Sequence, residues 1–168
     1  MKILYIHGLN GSLSPEKRAL LEPYGEVFAP AIDYLSDTHA IASISTAFKA
    51  MGINIVIGSS MGGFTGYYVS NIMQCPALLF NPALAKRSVP QNIPEIKNNS
   101  SRLKQIVLGT QDDVVNPKQT LKFLSETLID HPEYKIHIHN HLAHRIPLDV
   151  FKEEIQLFLN PYNLKPKH

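Results

Sequence analysis

The sequence predicts an α/β fold: a mostly parallel sheet of about six strands with helices on both faces. Two observations lead there. Short apolar, β-branched runs alternate with segments of helical periodicity about six times along the chain, which is the pattern of parallel strands joined by crossover helices. The runs are apolar at successive positions, as in Ile3-Leu4-Tyr5-Ile6, and so suit strands covered on both faces. At 168 residues the chain has the length of one domain and can bury a core without disulfides or a metal.

The elements follow in order. Ile3 to Ile6 is the first strand, ended by a glycine turn. Pro15 to Leu21 is a short helix, with Ser14 as N-cap and proline at the first helical position. Glu26 to Ala29 is a second strand closed by Pro30. Thr38 to Met51 carries Ile41, Ile44, Ala47 and Phe48 at helical spacing and stops at Gly52. Ile53 to Ile57 is the third strand, Met61 to about Ile72 a helix, and Cys75 to Phe80 the fourth strand. Asn81 to Arg102 holds Pro82, Pro90 and Pro94 among asparagines and serines, an excursion with little regular structure. A strand at Leu103 to Leu108, a helix from about Pro117 to Ile129, a strand at Tyr134 to Ile138 and a helix at Leu148 to Leu159 complete a single domain over residues 1–160. The polar tail 161–168 is expected to fray.

Composition narrows the function classes. Sixteen basic against 14 acidic residues leave a net charge of +2, and charged residues are only 18% of the chain. That balance predicts no nucleic-acid partner and no membrane partner. An apolar fraction of 44% excludes disorder. The single cysteine, Cys75, cannot form an internal disulfide, and the opening apolar run is too short for a signal-peptide core. No stretch approaches the roughly 18 apolar residues of a membrane span. The expectation is a cytoplasmic protein, with Cys75 as a buried structural thiol.

In a parallel sheet the chemistry gathers in the turns after the strands. The third such turn is Gly58-Ser59-Ser60-Met61-Gly62-Gly63, which contains G-x-S-x-G. Chance would produce this pattern in about 0.06 of chains this long, and here it joins an apolar strand directly to a helix. That context is a nucleophile elbow, a sharp bend that lifts the serine hydroxyl above the sheet. The backbone N–H of Met61 would then aim at a developing oxyanion. A phosphate-cradling loop would need a lysine after the last glycine, and none is present.

A serine hydroxyl is a weak nucleophile and needs a base and an orienting acid, which should follow it in that order of turns: acid first, histidine last. After the fifth strand comes Gly109-Thr110-Gln111-Asp112-Asp113-Val114-Val115, which offers Asp112 and Asp113. After the sixth comes His139-Asn140-His141-Leu142-Ala143-His144-Arg145, which offers three histidines.

The elbow, Gly109-x-x-Asp112 with Val114-Val115, the late His144-Arg145 and the opening turn His7-Gly8-Leu9-Asn10-Gly11-Ser12 together resemble a serine-dependent α/β-hydrolase. At this length the chain is similar to the small YqiA-type bacterial esterases. The resemblance spans roughly residues 2 to 158. It departs from larger hydrolases in lacking their first two strands and in reducing any cap to the 81–102 excursion. It implies Ser60 as nucleophile, His144 as general base, and Asp112 as the acid that orients the imidazole. It further implies that the backbone amides of Leu9 and Met61 form the oxyanion hole, and that His7 shapes that loop. No cofactor is implied, and the expected partner is a small-molecule acyl ester.

Other residues have plainer readings. His137, His139, His141 and His144 crowd the last strand and turn, but their spacing matches no zinc pattern and no cysteine or acidic cluster completes it. Phe64, Tyr67 and Tyr68 read as packing on the elbow helix. Lys86 and Arg87 read as solvated loop cations, with contact to an anionic substrate as the alternative. The function expected is acyl-ester hydrolysis. Its rivals are a thioesterase, a non-catalytic scaffold of the same fold, and a metal-dependent hydrolase built on the histidines.

Overall fold

A computed structural model of the protein describes residues 1–96, 102–128 and 133–159. Six strands are present: β1 (Lys2–Ile6), β2 (Glu26–Phe28), β3 (Ile55–Ser59), β4 (Ala77–Phe80), β5 (Lys104–Gly109) and β6 (Tyr134–His139). They form one sheet of order β2-β1-β3-β4-β5-β6, and every neighbouring pair is parallel. The helices are α1 (Pro15–Leu21), α2 (Ala40–Phe48), α3 (Met61–Met73), α4 (Pro117–Glu126) and α5 (Leu148–Phe158).

Alternation along the strands feeds two cores. Leu4, Ile6, Val56, Ala77, Leu79, Ile106 and Leu108 face α2, α3 and α4, whose Ile41, Phe64 and Leu124 are buried against them. Ile3, Tyr5, Ile55, Ile57, Leu78, Phe80 and Val107 face the other way, against Leu21 of α1 and Phe151, Ile155 and Phe158 of α5. A strand covered on both sides can be apolar at every position, which is why the central runs carry no polar alternation. Among the described residues no helix is long and apolar enough to cross a membrane.

Local chemistry sets the element ends. Ser14 Oγ accepts from Lys17 N at 3.3 Å and Pro15 opens α1, as the sequence predicts. Gly52, at φ 65°, closes the second helical segment, whose last residues Lys49–Met51 tighten into a 3-10 turn. That segment begins at Ala40 rather than Thr38 because His39 is non-helical, at φ −113° and ψ 24°. β3 and β4 each start two residues later than expected, at Ile55 and Ala77. The excursion from Asn81 has no helix or strand through residue 96. Its stem, Asn81 to Leu84, is nonetheless buried. Further along, Gln91 accepts from Ala40 N at 3.2 Å and donates to the carbonyls of Tyr34 and Asp37 at 3.1 and 3.0 Å. The excursion is therefore stitched to the segment before α2. Residues 97–101, Ile129 and the tail from Asn160 lie outside the described residues.

Two buried polar groups stand out because apolar packing does not account for them. On α5, Glu154 is 1% exposed, and its carboxylate accepts from Gln105 Nε2 at 2.6 Å and meets His137 Nδ1 and His139 Nε2, each at 2.7 Å. Two histidines of the edge strand β6 are thus held to α5 through one carboxylate. The other group is Lys104, fully buried on β5. Its Nζ has no hydrogen-bond partner among the described residues and sits 5.3 Å from the Tyr67 ring centroid. Burial lowers its pKa from 10.5 to about 8. Burial also raises the Cys75 thiol to about 12, as befits an inert core cysteine.

Two stability predictions follow from these groups. Unfolded Lys104 holds its proton up to 10.5 and the folded residue releases it near 8, so unfolding takes up a proton in that window and stability rises with pH across it. Lys104→Met should therefore stabilise the protein by about 1–3 kcal/mol below pH 8. The gain should shrink towards pH 10.5, as read by urea unfolding of variant and parent. Glu154→Ala strands the Gln105 amide and both histidines and should cost about 2–4 kcal/mol in the same measurement.

Candidate active site

The site begins with the order of the strands. β1 and β3 are neighbours, but the chain leaving β1 enters α1 on one face of the sheet and the chain leaving β3 enters α3 on the other. Diverging connections open a crevice beyond the strand ends, the usual ligand position in such sheets.

Ser60 stands at that crevice with φ 55° and ψ −119°, a backbone state that costs a non-glycine residue about 1–3 kcal/mol. Its surroundings hold it there. Ser60 N donates to the Phe80 carbonyl at 2.9 Å, and the Ser60 carbonyl accepts from Phe64 N at 3.0 Å and Ala83 N at 3.1 Å. The flanking glycines permit the bend by close approach. A Cβ on Gly58 would collide with the Gly62 carbonyl, and one on Gly62 with the carbonyls of Ile6 and His7. No side chain fits at either position, so α3 starts directly against the end of β1.

The turn after β1 comes equally close. A Cβ placed on Gly8 would lie 3.4 Å from Ser60 Cβ and 3.9 Å from its Oγ. The Gly8 carbonyl receives Gly11 N at 3.0 Å and lies 2.7 Å from His7 Nδ1. Ile32 N donates to His7 Nε2 at 2.9 Å, so Nε2 is the acceptor nitrogen and Nδ1 carries the hydrogen that Gly8 accepts. Tyr34 Oη then donates to the His7 carbonyl at 2.9 Å. Because Gly8 C=O and Leu9 N–H share one peptide plane, clamping the carbonyl also orients the Leu9 amide. Leu9, Ser60 and Met61 line one cavity.

Of the two acids after β5, Asp112 is the one that meets His144. Its side chain is fully buried, with Oδ2 2.8 Å and Oδ1 3.0 Å from His144 Nδ1. Oδ1 also accepts from Val114 N at 2.9 Å and Val115 N at 2.8 Å. A carboxylate so supplied with donors is an acceptor towards Nδ1, which puts the imidazole hydrogen there and leaves Nε2 its lone pair. Asp113 is exposed. Of the rival histidines, His139 faces Glu154 instead, as does His137 beside it on β6, and His141 is exposed.

Asn81 joins the two turns that carry Asp112 and His144, and no sequence pattern singles it out. At φ 40° and 1% exposed, it directly follows β4 and bonds to both the turn after β5 and the turn after β6. Its Oδ1 accepts from Gly109 N at 2.8 Å, while Nδ2 donates to the carbonyls of Ala143 at 3.0 Å and His144 at 3.4 Å. Buried Leu142 and Ile146 anchor the histidine turn on either side. The available sequence signal was an Asn-Pro pair directly after an apolar strand. By itself such a pair reads as the start of a polar loop.

Ser60 and His144 line a cavity of about 980 Å³ that runs from the β1 turn to the histidine turn. Among the described residues they share no direct hydrogen bond. No group of His, Cys, Asp and Glu among the described residues could hold a metal ion.

Comparison with known proteins bears on the family and the fold. The model of an uncharacterised protein family, UPF0227, matches residues 2–102. No curated protein matches the sequence. Similar solved structures share the α/β-hydrolase fold. The Pyrococcus furiosus esterase is 15% identical at a TM-score of 0.72, covering 94% of this chain and 80% of that one. The Paleococcus ferrophilus monoacylglycerol lipase is also 15% identical, with a TM-score of 0.66 and coverage of 93% and 91%. The Bacillus cereus carboxylesterase is 12% identical, with a TM-score of 0.65 and coverage of 93% and 86%.

Removing the Asn81 side chain leaves the Gly109 N–H and the Ala143 carbonyl without their partner. Asn81→Ala should lower stability by about 1–3 kcal/mol in urea unfolding. It should also broaden or shift the His144 imidazole resonances in NMR while leaving those of His39, which precedes α2, in place.

Proposed function

The chain belongs to the UPF0227 family, the YqiA-type α/β-hydrolases, and we propose that it is a serine esterase cleaving small acyl esters through an acyl-enzyme. The observation that carries this reading is the buried Asp112 carboxylate 2.8 Å from His144 Nδ1. That imidazole lines the same cavity as a serine locked at φ 55° on a strand-to-helix bend. Solved neighbours described as an esterase, a carboxylesterase and a monoacylglycerol lipase support it.

The chemistry assigns each group a role. His144 Nε2 takes the Ser60 proton as Oγ attacks the ester carbonyl, and Asp112 stabilises the imidazolium and holds its tautomer. The amides of Leu9 and Met61 donate to the tetrahedral oxyanion, with Leu9 already oriented by the His7 clamp. Collapse expels the alcohol with the proton from His144. Water, activated by the same imidazole, then releases the acid. Leu9, Met61, Val115 and Ile146 give the cavity an apolar side for a short acyl chain.

A fluorophosphonate probe should label the parent protein, and p-nitrophenyl acetate and butyrate should be turned over. Ser60→Ala should abolish both. Asp112→Asn should lower kcat by about 10³–10⁴-fold, and EDTA should change neither activity. Absence of labelling and turnover in the parent would identify a silent scaffold, and loss with EDTA a metal enzyme.

A further inference from the structure

The cavity around Ser60 is unbalanced in charge. Lys17, Lys86, Arg87 and Arg145 line it, and no acidic residue does so among the described residues. These cations come from three separate segments: α1, the excursion after β4, and the residue following His144. None forms an ion pair with a carboxylate among the described residues. The protein as a whole is nearly neutral, at +2, so the excess is local.

Two of the four are held in place. The Arg87 guanidinium stacks 4.1 Å above the Phe64 ring, on the helix that Ser60 opens, and its Nη1 donates to the Leu84 carbonyl at 2.9 Å. Its Nε is buried and unpartnered among the described residues. A guanidinium pinned by stacking and one bond keeps further donors in a rigid fork, suited to a carboxylate or phosphate. Lys17 is half-buried and lies 5.1 Å from the Phe151 ring centroid, and burial lowers its pKa. Holding positive charges at a cleft without counter-charges costs solvation and self-repulsion, and an anionic ligand relieves both.

We propose that the cleft selects acyl esters bearing a second, negatively charged group, a carboxylate or phosphate distant from the scissile carbonyl, with Arg87 as its principal anchor. This rests on the reading of Ser60 as an esterase nucleophile and adds the substrate's charge to it. A neutral ester can react but leaves the cations unmatched. The anionic ester gains their attraction in both encounter and bound state, and therefore in kcat/KM.

The test uses matched esters and the whole protein. For charge on the acid side, p-nitrophenyl hexanoate is compared with mono-p-nitrophenyl adipate, which replaces the terminal methyl by a carboxylate. For charge on the alcohol side, p-tolyl acetate is compared with p-acetoxyphenyl phosphate. Background hydrolysis is taken from Ser60→Ala. At about 0.05 M salt the anionic member of at least one pair should be favoured roughly tenfold in kcat/KM. The ratio should fall severalfold at about 0.5 M salt, where screening is strong, and the favoured pair tells which side carries the charge. Arg87→Gln should reduce the anionic-to-neutral ratio about tenfold. Lys86→Gln, an exposed position that leaves packing untouched, should reduce it less. If both anionic members are turned over no faster than their neutral partners at low salt, while Ser60 is labelled and the neutral esters react, the anionic preference is wrong and the esterase reading stands. If no ester is turned over and the probe labels nothing, both are wrong.

Discussion

The backbone of Ser60 is the constraint on which the rest of the molecule depends. A residue with a side chain occupies a left-handed conformation there. It does so because β1, β4 and α3 converge until three hydrogen bonds hold its peptide groups and no Cβ fits at Gly58 or Gly62. The strain is local, and the two hydrophobic cores on either side of the sheet overcome it. That convergence exists only because β1 and β3 are adjacent with connections leaving to opposite faces. The sheet order, the bend and the cavity are thus one geometric fact seen at three scales.

Around that bend the protein places its functional groups through buried main-chain hydrogen bonds more than through side-chain packing. His7 clamps the Gly8 peptide, Asp112 gathers Val114 N and Val115 N before it meets His144, and Asn81 joins the two turns that carry Asp112 and His144. Each group is buried and almost fully partnered, so moving any one would leave a donor or acceptor in a place water cannot reach. Such a network resists sub-ångström drift of Ser60 relative to His144. The His137–Glu154–His139 cluster uses the same device away from the cavity, tying α5 to an edge strand that would otherwise be held from one side only.

Electrostatics shows where composition misleads. A near-neutral sum over the chain is the ground for expecting no polyanionic partner. Yet the few cations that line the cavity come from α1, the β4 excursion and the histidine turn, far apart in sequence. Arg87 in isolation reads as a solvated loop residue. Its stacking on Phe64 and its bond to Leu84 become visible only once the excursion's stem is seen folded against α3. A sum over the chain cannot register a concentration created by folding.

By itself the sequence determined the architecture and the candidate nucleophile, because both are written in short-range patterns. Doubly covered strands are apolar throughout, helices repeat every three to four residues, and a G-x-S-x-G turn between strand and helix admits few conformations. Family-like spacing also pointed to Asp112 and His144, but the residues alone offered two acids and three histidines. Which of them meet is a matter of tertiary geometry. Asp112 faces His144 while Asp113 faces solvent, and Glu154 holds His137 and His139 to α5. The same holds for Asn81, whose partners lie 28 and 62 residues away. A periodic pattern reports which face a residue occupies. Which partner a polar side chain meets is a long-range outcome of strand order, and only the folded sheet contains it.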